Sequence, residues 1–151
     1  MLKYLALGLI SFLSLAGLSG QGTLLKEANL FYEARQFDKA LNAYTIYNRN
    51  NPGNDLVLTH LGICNYHSGN SQKAIQSLKA LLSSAKKPET DAYLYLAKSY
   101  HAEGQFKLAS DAYQVYLGKI KLDDAMRKHV RDAIKRCGSG IRLKATKADA
   151  I

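Results

Sequence analysis

Histidine and cysteine are the residues in this sequence whose side chains could carry acid–base, nucleophilic or metal chemistry. A nucleophilic site needs a base held beside a serine or cysteine, and a zinc site needs ligands at short, characteristic spacings. Neither arrangement occurs here, and the sequence has no glycine-rich phosphate loop. The sequence therefore predicts a protein that is not an enzyme and that uses no metal or cofactor. The residues considered are His60, His67, His101, His129, Cys64 and Cys137.

The two cysteines, Cys64 and Cys137, are predicted to be free thiols. A disulfide requires the two Cα atoms to approach within about 4.4–6.8 Å. Cys64 lies in the middle of the chain and Cys137 near its end, on helices that we expect to be separated by others. An intramolecular bridge is therefore not expected, although export would allow one to persist.

A short pattern recurs three times along the chain, and it determines which elements must position these side chains. Its closing alanines, Ala40, Ala74 and Ala109, are 34 and then 35 residues apart. A fixed period of this length indicates stacked supersecondary units instead of one closed globule. Such a stack offers an extended groove, which favours binding over catalysis.

Each copy is interpreted as two antiparallel helices, because apolar residues recur at helical spacing on both sides of a short turn. Gly69 and Gly104 occupy the same place in that turn, where glycine enters the left-handed conformation without penalty. Arg35 stands there in the first copy, at a cost of about 1 kcal/mol. Small residues are expected where the helix backbones approach: Ala28, Gly62 and Ala97 in the first helices, and Ala40, Ala74 and Ala109 in the second.

Polar residues next to the inter-repeat loops are expected to cap the helices that follow. Asn54 or Asp55 follows the first loop and Thr90 follows the second. Their side-chain oxygens can accept the free backbone N–H groups of a first helical turn.

One further helix is predicted after the third copy, from Asp123 to Cys137. Its apolar stripe would cover the open side of the last repeat, as a solenoid requires. Gly138 is expected to end this helix, and residues 138–140 to form a flexible joint. The alternation of apolar and basic residues in Ile141–Lys144 then predicts an edge strand.

The first 19 residues are interpreted as a secretory signal peptide. Lys3 supplies the positive start, residues 4–18 are almost wholly apolar, and small residues follow. The alternative is an uncleaved membrane anchor, but the apolar run is shorter than the roughly 20 residues that a spanning helix needs. We therefore expect an exported protein, for which nucleic acid is not an expected partner.

The formal charge of +9 is concentrated at the C-terminal end. Residues 21–118 carry ten Lys or Arg against eight Asp or Glu, whereas residues 119–147 carry ten against three. Such a basic cluster could contact anionic lipid or an acidic partner, or it could be no more than a solvated helix face. The predicted basic patch is Arg127, Lys128, Arg131 and Lys135.

The repeated residues resemble the tetratricopeptide repeat (TPR) family, whose pattern sets Leu-Gly or Leu-Ala before Tyr, and later Gly, an aromatic residue, Ala and Pro. The resemblance implies an all-α, right-handed TPR solenoid of three helix-turn-helix repeats plus a C-terminal capping helix, preceded by a signal peptide. The resemblance is carried by Leu61, Gly62, Leu96, Ala97, Tyr100, Gly104, Phe106, Ala109, Tyr113 and Pro52. The predicted divisions are 1–19 signal peptide, 21–122 repeats (21–54, 55–89 and 90–122), 123–138 capping helix, and 139–151 linker or start of a missing downstream domain.

In that family the first helices of the pairs line a concave groove that holds a partner, so the resemblance implies a set of groove residues. Tyrosine and histidine at equivalent positions could contact an extended peptide or a helix. The alternative is that these rings only cover the packing between adjacent first helices. The implied groove residues are Asn29, Tyr32, Glu33, Thr59, Ile63, Tyr66, His67, Leu94, Lys98 and His101.

One TPR subfamily grips the C-terminal carboxylate of chaperones with lysine, arginine and asparagine side chains at fixed groove positions. Asn29 fits one of these positions. Leu25, His60, Asp91 and Tyr95 stand where the other members belong. The resemblance therefore does not extend to chaperone-tail binding.

The order of the parts resembles the N-terminal region of bacterial envelope proteins that continue into a propeller and an OmpA-like peptidoglycan-binding domain. It implies a non-catalytic protein–protein interaction scaffold, in the periplasm or associated with the outer membrane, that docks a protein or peptide in its groove. Any association with peptidoglycan or the outer membrane would come through the missing C-terminal domains. The alternative function is a structural spacer whose basic C-terminal helix contacts anionic lipid or cell-wall polymer.

Overall fold

The computed structural model describes residues 22–120 and 124–148, and these residues form seven helices joined by short turns. The predicted signal peptide, 1–19, lies outside the described residues. Helix α1 is described over 22–33. The others are α2 Phe37–Asn50, α3 Asp55–His67, α4 Ser71–Ser84, α5 Thr90–Ala102, α6 Phe106–Lys119 and α7 Asp124–Ala148.

The helices pack as three successive hairpins with α7 against the last of them. Contacts join α3 to α4, α5 to α6 and α6 to α7, while α2 to α3 and α4 to α5 connect neighbouring hairpins. The first helices also touch one another, since α3 contacts α5. The predicted fold class, an all-α solenoid, is confirmed. Within the described part of the chain, no helix is both long and apolar enough to span a bilayer.

Two apolar clusters run along this stack and share Leu58 at their boundary. The first joins α1, α2 and α3 around Ala28, Ala40 and Tyr44. The second runs from α4 to α7 and includes Leu78. Because each hairpin buries its apolar stripe against the next, the core is a continuous layer and no single repeat is self-contained.

The small residues lie at close helix contacts, as predicted. Ala28, Ala40, Ala74, Ala97 and Ala109 are all completely buried. A Cβ atom added at Gly62 would lie 2.4 Å from the side chain of Leu78 on the paired helix. The predicted left-handed turns at Gly69 and Gly104, with Arg35 at the same place in the first repeat, are confirmed as well.

The three turns adopt one geometry. Arg35, Gly69 and Gly104 have φ angles of 57°, 77° and 64°, all in the left-handed region. The N–H groups of the residues that follow them donate to the carbonyls of Phe31, Asn65 and Tyr100 at 2.8–2.9 Å. A non-glycine residue at this position carries a penalty in the first repeat, because its Cβ crowds the backbone.

The capping predictions have opposite outcomes. The side chain of Asn54 accepts the N–H of Val57 at 3.1 Å and so caps α3. The prediction for Thr90 is wrong, because Glu89 is the N-cap residue of α5 and no side chain caps this end. The carbonyl of Glu89 already accepts the N–H of Ala92, which places Thr90 inside the first turn.

The last helix departs most from the sequence prediction. It does not end at Gly138, and residues 138–140 are not a joint, because α7 continues to Ala148. The strand predicted for Ile141–Lys144 is therefore helix. The reason is a tertiary contact: Gly140 lies against the ring of Phe106, where an added Cβ would be 2.5 Å from ring carbons. Glycine is needed there for close approach, which outweighs its poor helix propensity.

Candidate functional site

Aromatic and histidine side chains from α1, α3 and α5 form a continuous half-buried surface, which we call the groove surface. At its start, the ring of Tyr32 stacks on His60, with centroids 4.0 Å apart and planes 19° from parallel. The Tyr44 hydroxyl donates to Oδ1 of Asn29 at 2.7 Å and lies 2.7 Å from Nδ1 of His60. Because the Tyr44 hydroxyl donates its proton to Asn29, it accepts the hydrogen bond from Nδ1–H of His60.

Burial dominates the electrostatics of this first group. It raises the pKa of Tyr32 to about 12, with smaller contributions from Tyr95, Cys64 and Asp91. Burial likewise raises the pKa of Tyr44. It lowers the pKa of His60, against a weaker opposing effect of Asp91. Burial therefore favours the neutral form of all three side chains.

A second group occupies the middle of the groove surface. His67 stacks on Phe37 with centroids 4.0 Å apart and planes 7° from parallel, and its Nε2 lies 3.1 Å from the Tyr95 hydroxyl. Tyr66 meets Tyr95 edge to face at 5.4 Å. Nζ of Lys98 lies 4.5 Å from the centroid of the Tyr95 ring. Rings from α2, α3 and α5 are therefore in contact at the middle of the groove surface.

The charges around this middle group keep His67 neutral. Burial lowers its pKa first, and the positive charges of Lys98 and Arg35 lower it further. Burial also lowers the pKa of Lys98, although Asp91 partly opposes this. The pKa of Tyr95 is raised, again mainly by burial.

His101 occupies the third position, at the junction with α7. Its ring packs edge to face on Phe106 at 5.5 Å and on Tyr113 at 6.3 Å. Its Nδ1 lies 3.5 Å from Sγ of the buried Cys137. Burial lowers the pKa of His101 and raises that of the Cys137 thiol, so this pair is a neutral packing contact and not a reactive thiolate.

The groove surface contains a recess of about 230 Å³ between the first and second groups. Its walls are mostly aromatic, with one carboxylate and one guanidinium at the edge. A recess of this kind can receive a side chain of a partner while the polar ring tips fix its orientation. The lining residues are Tyr32, Glu33, Arg35, Phe37, His67 and Tyr95.

The structure places the predicted groove residues in two classes. Thr59, Ile63 and Leu94 are at most 7% exposed, so the prediction that they line the groove is wrong. The reason is that α3 contacts α2, α4 and α5, and α5 is surrounded similarly, which covers several sides of each helix. The remaining predicted residues keep accessible surface: Asn29, Tyr32, Glu33, Tyr66, His67, Lys98 and His101. Whether they bind a partner stays a prediction.

Phe37, His60 and Tyr95 belong to the groove surface, although they are not among the implied groove residues; the sequence analysis placed His60 and Tyr95 only at the groove positions of the chaperone-tail clamp. A signal for two of them was present. His60 precedes His67 by seven residues, which places both on one helix face, and Tyr95 follows His60 by one repeat period of 35. Phe37 opens a second helix and carried no such signal.

The basic patch is smaller than predicted. Arg127 is half-buried and donates to the carbonyls of Leu117 and Ile120 at 3.3 and 3.0 Å, so it caps the end of α6 and is not part of a free patch. Lys135 lies 3.6 Å from a carboxylate oxygen of Asp132. Lys128 and Arg131 are exposed.

Within residues 22–120 and 124–148, no group of three or more His, Cys, Asp or Glu side chains could hold a metal ion. Cys64 and Cys137 are both buried and are not bonded to each other.

Comparison with known proteins decides the family. The model of the tetratricopeptide repeat family matches residues 25–89 and 69–126. The chain belongs to the tetratricopeptide repeat family. A search of curated proteins gives no significant match.

Solved TPR domains share the fold of this chain. The first TPR domain of human RPAP3 has a TM-score of 0.68 and 14% identity over 83% of this chain and 95% of that one. The TPR domain of Arabidopsis OM64 has a TM-score of 0.66 and 21% identity over 79% and 94%. The first TPR of Spaghetti, bound to the HSP90 peptide SRMEEVD, has a TM-score of 0.65 and 16% identity over 81% and 93%. At these identities the likeness establishes the fold alone.

Proposed function

We propose that this chain is a non-catalytic interaction module that binds an extended segment of a partner protein on the groove surface. The single observation that carries the proposal is the aromatic recess lined in part by Tyr32, His67 and Tyr95. Aromatic rings with polar tips are the side chains that interfaces favour, because they offer large contact area and oriented hydrogen bonds.

The partner chemistry differs from that of chaperone tails. Spaghetti, which has a similar fold, holds an HSP90 peptide. In this chain the Asn29 side chain, the one matching member of a carboxylate clamp, is engaged by the Tyr44 hydroxyl. His60 is likewise occupied by stacking and by the same hydroxyl. A partner that presents apolar and aromatic side chains therefore suits this groove better than a terminal carboxylate.

The groove is tested by Tyr66→Ala combined with Tyr95→Ala, because the two rings meet edge to face on the groove surface and Tyr95 lines its recess. We expect loss of a partner recovered by affinity capture from envelope extracts, while circular dichroism of the variant remains helical. The matched control is Val115→Ala, an exposed position on α6 that should leave recovery unchanged. Recovery of the same partner by the groove variant would remove the basis of the proposal.

We further propose that the chain is exported and acts in the bacterial cell envelope, in the periplasm or at the outer membrane. Support comes from the signal-like composition of residues 1–19 and from the resemblance to envelope proteins with downstream peptidoglycan-binding domains. Fractionation of cells expressing the chain should place the processed form with periplasmic or outer-membrane proteins. A full-length product in the cytoplasm would contradict export.

The alternative role, a spacer whose basic helix contacts anionic lipid or cell-wall polymer, has less support. Of its four predicted cations, Arg127 caps α6 and Lys135 is paired with Asp132.

A further inference from the structure

A second recess lies where the end of α7 packs against the start of α6, and we call it the α6–α7 notch. Its volume is about 310 Å³. It has no lining residue in common with the recess of the groove surface. The lining residues are Gly104, Gln105, Phe106, Lys107, Leu108, Ile141 and Lys144.

The notch is built by fixed contacts between two elements. Gly140 allows α7 to lie directly against the Phe106 ring. One turn further along, Nζ of Lys144 donates to the carbonyl of Gly104 at 2.6 Å and lies 5.4 Å from the centroid of the Phe106 ring. These contacts tie the α7 extension to the turn before α6, so the walls of the notch are formed before any partner arrives.

The notch combines uncovered apolar surface with positive charge. Leu108 and Ile141 are 46% and 43% exposed, although both are large aliphatic residues. Lys107 and Lys144 are among its lining residues, none of which is acidic. The adjoining end of α7, residues 138–148, carries three cations and no carboxylate. The charge of this site is therefore complementary to an anionic partner.

We propose that the α6–α7 notch docks an acidic segment of a partner protein. The segment inserts one large apolar side chain between Leu108 and Ile141 and places carboxylates beside Lys107 and Lys144. The size supports this, because about 310 Å³ lies at the small end of the roughly 300–1,000 Å³ of ligand sites and suits a side chain more than a helix. The recess has walls from both α6 and α7, and a single inserted side chain can contact both.

This site goes beyond the proposed groove function and can be tested separately from it. The probe is a synthetic peptide with one phenylalanine flanked by glutamates, added to the full chain labelled at its Ile and Leu methyl groups. We expect chemical-shift changes at Ile141 and Leu108 and weaker binding at high salt. Peptides in which serine replaces the phenylalanine, or lysines replace the glutamates, should not bind.

Two variants on one helix provide the matched comparison. Ile141→Gln should weaken binding of the peptide by roughly tenfold, as expected for loss of one apolar anchor. Leu143→Gln should leave it unchanged, because Leu143 is 63% exposed on the same helix and does not line the notch. Lys107→Glu should also weaken binding. Since all three side chains are exposed, the fold should be retained, and circular dichroism checks this.

Several outcomes would overturn the proposal. They are equal binding of the lysine peptide, shifts confined to the groove surface, equal effects of Ile141→Gln and Leu143→Gln, and no binding at all. Vesicles containing anionic lipid form the last arm of the experiment. If Ile141→Gln reduces vesicle binding and the peptide does not bind, the notch serves a lipid surface and the proposal is wrong. Loss of groove binding alone leaves these results unaffected.

Discussion

Gly62 marks a close contact between the two helices of the second repeat. The nearest atoms to a Cβ added there belong to Leu78, which is completely buried in the core. Leu78 has no solvent side into which it could move. The repeat pattern therefore has a small residue here because a larger one would overpack the contact, and not because of its helix propensity.

We predict that Gly62→Ala lowers the free energy of unfolding by about 1–3 kcal/mol, since it forces an overpacked contact with Leu78. Urea denaturation followed by circular dichroism measures the change. Gly118→Ala is the matched control, because Gly118 is helical and an added Cβ meets nothing within 4 Å. The control should be neutral or stabilising by up to about 1 kcal/mol, from helix propensity alone. Equal effects of the two changes would refute the packing argument.

The groove surface also depends on individual residues that no local pattern reveals. Phe37 begins α2, yet its ring stacks on His67 of the next repeat. Thr59 occupies a position of the repeat that lines the groove in the family. Here it is buried, and its hydroxyl donates to the carbonyl of Asp55 in the same helix. Repeat phase assigns a residue to a helix, but neighbouring helices decide whether that residue reaches the surface.

At the scale of the element, α7 shows how a contact can extend a helix past residues that usually end one. Its segment 138–148 contains Gly138 and Gly140, each costing about 1 kcal/mol relative to alanine in a helix interior. The tie of Lys144 to the Gly104 carbonyl and the approach of Gly140 to Phe106 offset that cost. Both contacts lie far apart in sequence, which is why helical propensity alone predicted an end at Gly138.

We predict that Gly140→Ala detaches the end of α7 from α6, because its Cβ would lie 2.5 Å from the Phe106 ring. Amide hydrogen exchange should become faster over residues 138–148 and at the Gly104 turn. Gly138→Ala is the control on the same helix, since its nearest neighbour is a flexible Arg142 side chain at 4.0 Å. Exchange in the control should be unchanged or slower. If both variants exchange alike, Phe106 does not hold the helix extension.

At the scale of the whole molecule, three histidines lie at successive junctions of the stack. His60 joins α3 to the first hairpin, His67 joins the second hairpin to α5, and His101 joins α5 to α7. Each has its pKa lowered from the ordinary 6.5, with burial as the largest cause. The solenoid therefore contains neutral imidazoles where its repeats meet.

We predict that the free energy of unfolding falls as the pH falls below about 6.5. The sign follows from linkage: the unfolded chain takes up protons on these histidines at a higher pH than the folded chain, so acid favours unfolding. Above that pH the contribution is fully present. Urea titrations between about pH 7 and pH 5 measure it.

The control for this prediction compares two sets of variants. Replacing His60, His67 and His101 with glutamine should flatten the pH dependence, even if the variant is less stable at neutral pH. Val115→Ala, a change at an exposed position on α6 that does not titrate, should leave the slope unchanged. A slope that persists in the triple variant would assign the acid sensitivity to other groups.

The local and periodic properties of this protein can be predicted from its sequence. Helix number, the left-handed turns at Arg35, Gly69 and Gly104, and the cap at Asn54 all follow from short-range sterics and hydrogen bonding. The repeat period placed the hairpins in register, because small residues must recur where backbones approach. The turn and cap constraints act within one repeat, whereas the register of the hairpins follows from the recurrence of the repeat.

Which surfaces stay open and where the last helix ends depend on contacts between distant parts of the chain. Burial of Ile63 and Leu94 depends on three neighbouring helices, and the length of α7 depends on Phe106 and Gly104. Contacts between distant segments leave no fixed spacing in the sequence. A helix propensity of about 1 kcal/mol per residue is outweighed when the free energy of tertiary packing is of similar or larger size.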